Sequence, residues 1–165
     1  MQRYRNGKAI ECGAQPAADQ PALSPQVALM SKDMLQFAES PKNIEILGPD
    51  GKPFKSGDND RRFFEASWMH KYNGKYYFSY STGDTHKLCY ATGNNPYGPF
   101  TYQGVILTPV VGWTSHHSIV EFKGKWYLFY HDSKPSGGKT WLRSVKVVEL
   151  NYNANGTIKT LEGTD

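Results

Sequence analysis

Long apolar runs and cysteine are both scarce in this sequence. No stretch approaches the roughly 20 apolar residues of a membrane-spanning helix, and no charged start followed by an apolar stretch suggests a signal peptide. Cys12 and Cys89 are far apart and lack metal-binding spacing, so two free thiols are favoured over a disulfide. The net charge of +4 is small and scattered. It favours an ordinary solvated surface, and we expect neither nucleic-acid nor membrane partners.

A sustained helical period is also missing, so no long helix is expected. Aromatic residues make up 14% of the chain, which also contains 16 glycines and 10 prolines, a combination typical of the all-β class. Short strands are predicted at 26–30 and 43–47, with a turn or loop at 31–37. Beyond residue 65, strands are predicted at regular intervals, namely 66–72, 75–81, 86–91, 99–106, 117–122, 125–131, 139–150 and 157–161.

Two segments of the chain repeat each other. Residues 69–80 align with residues 119–130, and Gly74 and Gly124 occupy matching Gly-Lys turns 50 residues apart. Each copy has the pattern of a strand, a tight turn and an aromatic strand. A period of about 50 residues with paired strands is typical of a β-propeller blade. The sequence therefore predicts two neighbouring propeller blades.

Ionisable residues stand at the same place before each copy of the repeat. Glu65 precedes the first copy, and His116 and His117 precede the second. In a propeller the first strand of each blade lies nearest the central axis. We therefore expect the Glu65 and His116 side chains to face one axis, within about 15 Å of each other.

The number of strands predicts an incomplete ring. The chain supplies about two blades and parts of others, whereas closure needs at least about four blades. We expect residues 1–165 to form a partial propeller, with the earlier blades in a longer protein or in a complementing chain. An open stack exposes apolar faces and strand edges, which drive association. We expect the exposed faces to include Tyr76, Phe78, Trp126 and Leu128.

Glu65 is the first candidate for chemistry because its sequence neighbours are apolar and aromatic. An apolar environment disfavours the charged form of a carboxyl group, and a protonated carboxyl near neutral pH is what a general acid requires. The alternative is a structural glutamate that pairs with Arg61 or Arg62.

His116 and His117 adjoin at a strand start, so their side chains point to opposite faces and only one can face a central site. One reading is a hydrogen-bonded core histidine, and the other is a metal ligand or a substrate contact. No cluster has zinc-like spacing. Any ion at His116 is expected to be held mainly by oxygen atoms, which favours calcium.

Several aromatic residues are candidates for stacking on a sugar face, although most propeller aromatics pack between blades. Trp113 is the strongest candidate because it lies in a Gly-Trp-Thr-Ser loop, and Phe64 adjoins Glu65. The other candidates are Trp68, Tyr80 and Trp141. Arg143 lies in an apolar segment predicted as a strand, so an inward guanidinium needs a carboxylate or a substrate hydroxyl as its acceptor.

At these residues the chain resembles glycoside hydrolase family 43, the five-bladed propeller enzymes that act on xylose- and arabinose-containing polysaccharides. The resemblance covers almost the whole chain. It rests on Phe-Glu-Ala-Ser-Trp at 64–68, Lys-Tyr-Asn-Gly-Lys-Tyr-Tyr at 71–77, Tyr-Ala at 90–91, Pro-Tyr-Gly-Pro-Phe at 96–100, His-His-Ser-Ile-Val-Glu-Phe at 116–122 and Trp-Tyr-Leu-Phe-Tyr-His at 126–131.

The resemblance implies an inverting β-xylosidase or α-L-arabinofuranosidase, in which one carboxylic acid protonates the leaving oxygen and a carboxylate activates water. Glu65 matches the general acid of the family, His116 the histidine often associated with calcium, and Arg143 an arginine that reaches the sugar. His117 is assigned to substrate binding with Trp68, Trp113, Arg143 and Phe64. The catalytic base and its modulating aspartate find no match, as expected of the C-terminal half of such an enzyme. The alternatives are a carbohydrate-binding propeller remnant and a structural fragment that needs a partner chain.

Overall fold

The computed structural model describes residues 3–5, 8–10, 16–113 and 115–163. Within these residues the only helix is a 3-10 turn at Lys134–Ser136, and the predicted all-β class is confirmed. None of the described helical segments has the length and apolar character needed to cross a membrane. The strands are β1 (Arg3–Arg5), β2 (Lys8–Ile10), β3 (Gln26–Val27), β4 (Lys42–Asn43), β5 (Ile46–Leu47), β6 (Glu65–Tyr72), β7 (Lys75–Ser81), β8 (Leu88–Gly93), β9 (Phe100–Leu107), β10 (Ser118–Phe122), β11 (Lys125–Asp132) and β12 (Ser144–Leu150).

Two sheets carry most of the structure. The first has the order β5-β9-β8-β7-β6, with antiparallel pairing from β6 to β9 and a short parallel contact between β5 and β9. The second is the antiparallel meander β10-β11-β12. Two small pairs, β1-β2 and β3-β4, complete the described sheets. Consecutive antiparallel strands of this kind are the pattern of propeller blades.

The repeat predicted from the sequence corresponds to two hairpins, β6–β7 and β10–β11. Their turns are Asn73-Gly74 and Lys123-Gly124, and all four residues have positive φ, from 45° to 79°. Two consecutive residues with positive φ form the two-residue turn whose twist matches that of the flanking strands. The chain pairs Tyr72 with Lys75 on either side of the first turn.

Two apolar clusters cover the two faces of the first sheet. The blade-interface cluster joins the first sheet to the second and consists of Tyr77, Leu88, Tyr90, Ile106, Leu107, Ile119, Leu128, Leu150 and Ile158. The back cluster packs the opposite face onto the preceding segment and consists of Ile44, Ile46, Phe54, Phe78, Tyr80, Cys89, Ala91 and Phe100. Successive residues of β7 and β8 alternate between the clusters, as the two-residue period of a strand requires.

The prediction of which apolar residues are exposed is wrong. Phe78 and Leu128 are buried, and Tyr76 and Trp126 pack against the clusters. The exposed apolar surface lies instead on the other side of the second sheet, where cross-strand partners share one face. We call it the outer face; it consists of Val120, Phe122, Phe129, Val145 and Val147.

Most predicted strand bounds agree with the structure to within two residues, and four regions differ. The strand predicted at 26–30 ends at Val27. The segment predicted at 139–150 becomes a strand only at Ser144, because a turn occupies residues 139–142. Residues 43–47 divide between β4 and β5, and residues 157–161 form isolated bridges through Ile158 and Leu161. Cys89 is a buried free thiol, whereas Cys12 lies outside the described residues.

Candidate functional site

Glu65 stands at an irregularity in the first strand of the first blade. In the β6–β7 ladder Glu65 pairs with Ser81 but Trp68 pairs with Ser79, so β6 carries one residue more than its partner over this interval. Ala66 has a φ of 60°, which non-glycine residues rarely adopt. A bulge of this kind re-aims the side chains around it and is common next to active sites.

The Glu65 and His116 side chains meet across the two blades, as predicted. Glu65 Oε1 lies 3.5 Å from His116 Nε2, and the two side chains are 43% and 57% exposed. The expected enclosure of Glu65 by aromatic residues is therefore wrong for the described residues, since both groups border open space. The alternative role of Glu65 as a partner of Arg61 or Arg62 is also wrong.

Both arginines have other partners. Arg61 forms a salt bridge with Asp58, and the buried Arg62 donates hydrogen bonds to the Ser56 carbonyl and to the Asn59 side chain. Two further acids are likewise engaged elsewhere, Asp60 with Lys87 and Asp132 with Lys146.

A buried pair of serines supports the Glu65–His116 pair. Ser81, the ladder partner of Glu65, donates a hydrogen bond of 2.9 Å to the carbonyl of Ser115, the residue before His116. Both serines are almost completely buried. This bond connects the first blade to the second through the immediate neighbours of Glu65 and His116, so it constrains the distance between their backbones.

Two further side-chain hydrogen bonds connect the first blade to the second. Together with the Ser81–Ser115 bond they form what we call the interblade seam. Ser79 Oγ lies 2.7 Å from His117 Nε2, and Trp68 Nε1 donates to the Ile119 carbonyl at 3.1 Å. Burial lowers the pKa of His117 to about 3, with smaller contributions from His116 and His70. The His117 and Trp68 side chains thus connect the two blades, in contrast to the predicted contacts with substrate.

His131 joins the site although the sequence did not single it out. Its Nε2 accepts a hydrogen bond of 3.0 Å from the backbone N–H of His116, and the two rings lie nearly parallel with centroids 6.3 Å apart. Arg143 Nη1 lies 3.4 Å from the same nitrogen. Burial lowers the pKa of His131, aided by Arg143 and His116 and opposed by Asp132.

Arg143 reaches the site in a way that differs from the prediction. It is exposed and precedes β12, so it is not an inward residue of an apolar strand. Its Nε donates to the carbonyl of Thr140 at 2.9 Å. The sequence was misleading because Trp141 and Leu142, which suggested a buried strand, are exposed turn residues.

Exposed aromatic rings lie on the segments that carry these groups. Trp113, three residues before His116, is 66% exposed, has a φ of 78° and stacks on His86 with centroids 5.8 Å apart. Phe64 is also exposed and packs so closely on Gly83 that a Cβ there would lie 2.9 Å from its ring. Trp141 is exposed as well. Tyr80 is fully buried and donates to the Arg61 carbonyl, so its predicted sugar contact is wrong.

A metal centre is not assembled by the described residues alone. Among them, no group of three or more His, Cys, Asp and Glu side chains could hold a metal ion. Calcium takes six to eight oxygen ligands. Glu65 and His116 together supply few ligand atoms, so they do not fit a complete calcium site.

Comparison with known proteins gives consistent likenesses. A family model described as glycosyl hydrolases family 43 matches residues 26–158. A xylosidase/arabinosidase of Bacteroides ovatus is 70% identical over 165 residues, which are 100% of this chain and 51% of that protein. A β-xylosidase of Xylanibacter ruminicola is 62% identical over 162 residues, 98% of this chain and 50% of that protein. The chain thus spans about half the length of these curated relatives.

Solved structures agree with the sequence comparisons. RS223-β-xylosidase superposes with a TM-score of 0.91 at 69% identity, over 99% of this chain and 51% of that one. A calcium-free xylotriose complex of CoXyl43, a β-xylosidase/α-arabinofuranosidase from a compost metagenome, gives 0.90 at 62% identity, over 98% and 50%. These likenesses confirm the predicted fold, in which the chain supplies about half of a five-bladed β-propeller.

Proposed function

Because the chain belongs to glycoside hydrolase family 43, we propose that residues 1–165 form the part of an inverting glycosidase that carries the general acid, Glu65. The proposed substrates are xylose- or arabinose-containing oligosaccharides and polysaccharides, cleaved by β-xylosidase or α-L-arabinofuranosidase activity. The observation that carries the proposal is the approach of Glu65 to His116 at 3.5 Å, with both side chains bordering open space.

In this mechanism the protonated Glu65 carboxyl donates its proton to the departing glycosidic oxygen. In the same step a second carboxylate activates water on the opposite face of the sugar, and the two carboxyl groups of inverting enzymes lie about 6.5–9.5 Å apart. We assign that base to a part of the enzyme other than the described residues. Arg143 and the exposed ring of Trp113 are the proposed sugar contacts, with Phe64 beside the acid.

The bulge at Ala66 and the Ser81–Ser115 bond support this assignment. A general acid works only when its proton lies within hydrogen-bond reach of the leaving oxygen. A carboxyl group on an irregular strand start, backed by a buried interblade bond, is held in one direction. This arrangement favours a positioned acid over a surface glutamate.

Calcium is the ion that we propose at His116. A relative was solved in a calcium-free form, which points to calcium in that protein. For this chain we propose at most one contact, from His116, with other ligands supplied by water or by residues outside the described set. We assign no step of the reaction to the ion. Chelation should lower activity or melting temperature, and calcium should restore it better than zinc; an absence of response removes the proposal.

The partner of this half is proposed to be the complementary blades, in the same polypeptide or in another chain. The outer face of the second sheet is where a further blade would pack. We expect residues 1–165 alone to be inactive on aryl xylosides and arabinosides and to self-associate. A monodisperse, active monomer in light scattering and in the same assay would contradict both expectations.

A second candidate is a carbohydrate-binding fragment without hydrolysis. It is favoured by the 66% exposure of Trp113 and the 76% exposure of Trp141, which offer flat apolar surfaces to a sugar. Such a fragment would bind xylo-oligosaccharides equally well with and without the Glu65 carboxyl, and it would need no complementary blades.

The decisive experiment replaces Glu65 by Gln in an assembly that contains all blades. We expect unchanged sugar binding and a loss of hydrolysis of about 10²–10⁴-fold, because general acid catalysis contributes that much. An aryl glycoside with a good leaving group should lose less than a xylo-oligosaccharide, since its departure needs less protonation. Equal losses on both substrates would show that Glu65 only supports structure.

Glu45→Gln is the matched control. It makes the same chemical change at an exposed carboxylate that adjoins β5, at the edge of the first sheet opposite to β6. Its kinetics should equal those of the unmodified enzyme. An assembly in which even the unmodified chain hydrolyses no pentoside would instead favour the binding fragment.

A further inference from the structure

We infer that His131 is a positioning residue, which holds the His116 backbone and the Arg143 guanidinium in the places where the site uses them. The inference deepens the proposed function and rests on it for the role of Arg143. It concerns one ring nitrogen, Nε2, which faces both groups.

The contacts of Nε2 determine how the ring must be protonated. The nearer donor is the backbone N–H of His116 at 3.0 Å, and the second is Arg143 Nη1 at 3.4 Å. An N–H group and a guanidinium can only donate, so Nε2 has to present its lone pair. The ring proton of the neutral imidazole therefore lies on Nδ1.

The backbone of His131 is itself fixed to the interblade seam. Its N–H donates to Ser115 Oγ at 3.0 Å, and its carbonyl accepts from the same hydroxyl at 2.9 Å. Ser115 is buried and also accepts the hydrogen bond from Ser81 through its carbonyl. The His131 backbone is thus held by Ser115, and its ring contacts His116 and Arg143.

Arg143 needs such support because no sheet ladder holds it. It precedes β12, and its side chain is fixed by the Thr140 carbonyl and by His131. These contacts use two of the five N–H groups of the guanidinium, which leaves three for other acceptors such as sugar hydroxyls. A side chain fixed at two points loses less freedom when it binds a ligand.

His116 is affected in a different way. His131 caps the N–H of His116 itself, and the rings stand nearly parallel, with an interplanar angle of 19°. Loss of the acceptor would leave this N–H without its hydrogen bond and free the segment between Ser115 and β10. The His116 side chain would then be held less firmly relative to Glu65.

The test compares His131→Phe with His131→Gln in the enzyme that contains all blades. Phe keeps a flat ring of similar size but has no acceptor, whereas Gln places an amide oxygen near the position of Nε2. For His131→Phe we expect kcat/KM on xylo-oligosaccharides to fall about three- to tenfold, mainly through KM, which is the effect expected for the loss of one hydrogen bond. His131→Gln should recover most of the loss.

A second measurement does not depend on activity. Long-range proton–nitrogen NMR spectra of histidine-labelled protein distinguish the two neutral tautomers, and we expect the Nδ1–H form for His131. The His131 signals are identified as those that disappear in both variants. Equal kinetics of His131→Phe and the unmodified enzyme, or an Nε2–H tautomer at His131, would overturn the inference. Failure of the proposed function is distinguishable, because then the unmodified enzyme itself would hydrolyse no pentoside.

Discussion

Removal of one hydroxyl between the blades should disturb the site without touching either ionisable side chain. Ser81→Ala deletes the donor of the 2.9 Å bond to the Ser115 carbonyl, and the two residues are 0% and 3% exposed. Water cannot readily replace the lost partner at such a depth. A buried acceptor left without a hydrogen bond costs about 1–3 kcal/mol, so the free energy of unfolding should fall by that amount.

Activity should fall as well, because the bond lies between the backbones that carry Glu65 and His116. A displacement of about 1 Å in a catalytic arrangement can cost about 10²-fold in rate. We therefore expect Ser81→Ala to lower kcat/KM on xylo-oligosaccharides by about 10- to 100-fold in the enzyme that contains all blades. Steady-state kinetics and denaturant unfolding of the same preparation measure the two effects separately.

Ser79→Ala is the control, since it removes the same group from the same strand. Its partner is His117 Nε2 at 2.7 Å, one step farther along the seam from Glu65. It should lower stability by a similar amount and activity by much less. If both variants lose activity to the same extent, or if Ser81→Ala retains full activity, the positioning argument is refuted.

Three further predictions concern stability and association. Burial lowers the pKa of His70 to about 4, so the folded protein resists a proton that the unfolded chain accepts near 6.5. Stability should therefore fall as pH drops through that window, by at most about 1.4 kcal/mol per pH unit, and His70→Gln should flatten this part of the denaturation curve. Ala66 has a positive φ, which favours glycine and disfavours β-branched residues. Ala66→Gly should therefore leave the unfolding free energy unchanged or raise it by up to about 1 kcal/mol, whereas Ala66→Val should lower it by at least that much. Equal denaturation midpoints for both variants would contradict the assigned backbone. Phe129→Thr combined with Val147→Lys should reduce self-association of the isolated chain in light scattering, unless a surface other than the outer face drives it.

The sequence predicted the parts of this structure that depend on local pattern. The turns at Gly74 and Gly124 and the hairpins around them follow from two-residue alternation and turn chemistry. The meeting of Glu65 and His116 followed from the equivalence of two repeats in a ring. Each of these features has a signal within a few residues or a fixed period.

Other parts depended on tertiary contacts that no local pattern records. The bulge at Ala66 places an ordinary alanine at positive φ, and the serine pair Ser81 and Ser115 looks like any polar pair at strand ends. Arg143 was placed in a strand because its neighbours are apolar, although those neighbours are exposed. His131 stands at the end of an aromatic strand, and only the packing of the second blade on the first gives its ring nitrogen two donors.

The burial of β7 on both faces has a consequence for how the protein opens. All residues from Tyr77 to Ser81 are buried, with Tyr77 in the blade-interface cluster and Phe78 and Tyr80 in the back cluster. Because one backbone carries side chains of both clusters, unfolding of β7 would disrupt both clusters at once. The blades should therefore exchange their amide hydrogens as one cooperative unit. The two blades are distinct in their geometry, but we expect them to unfold as a single unit.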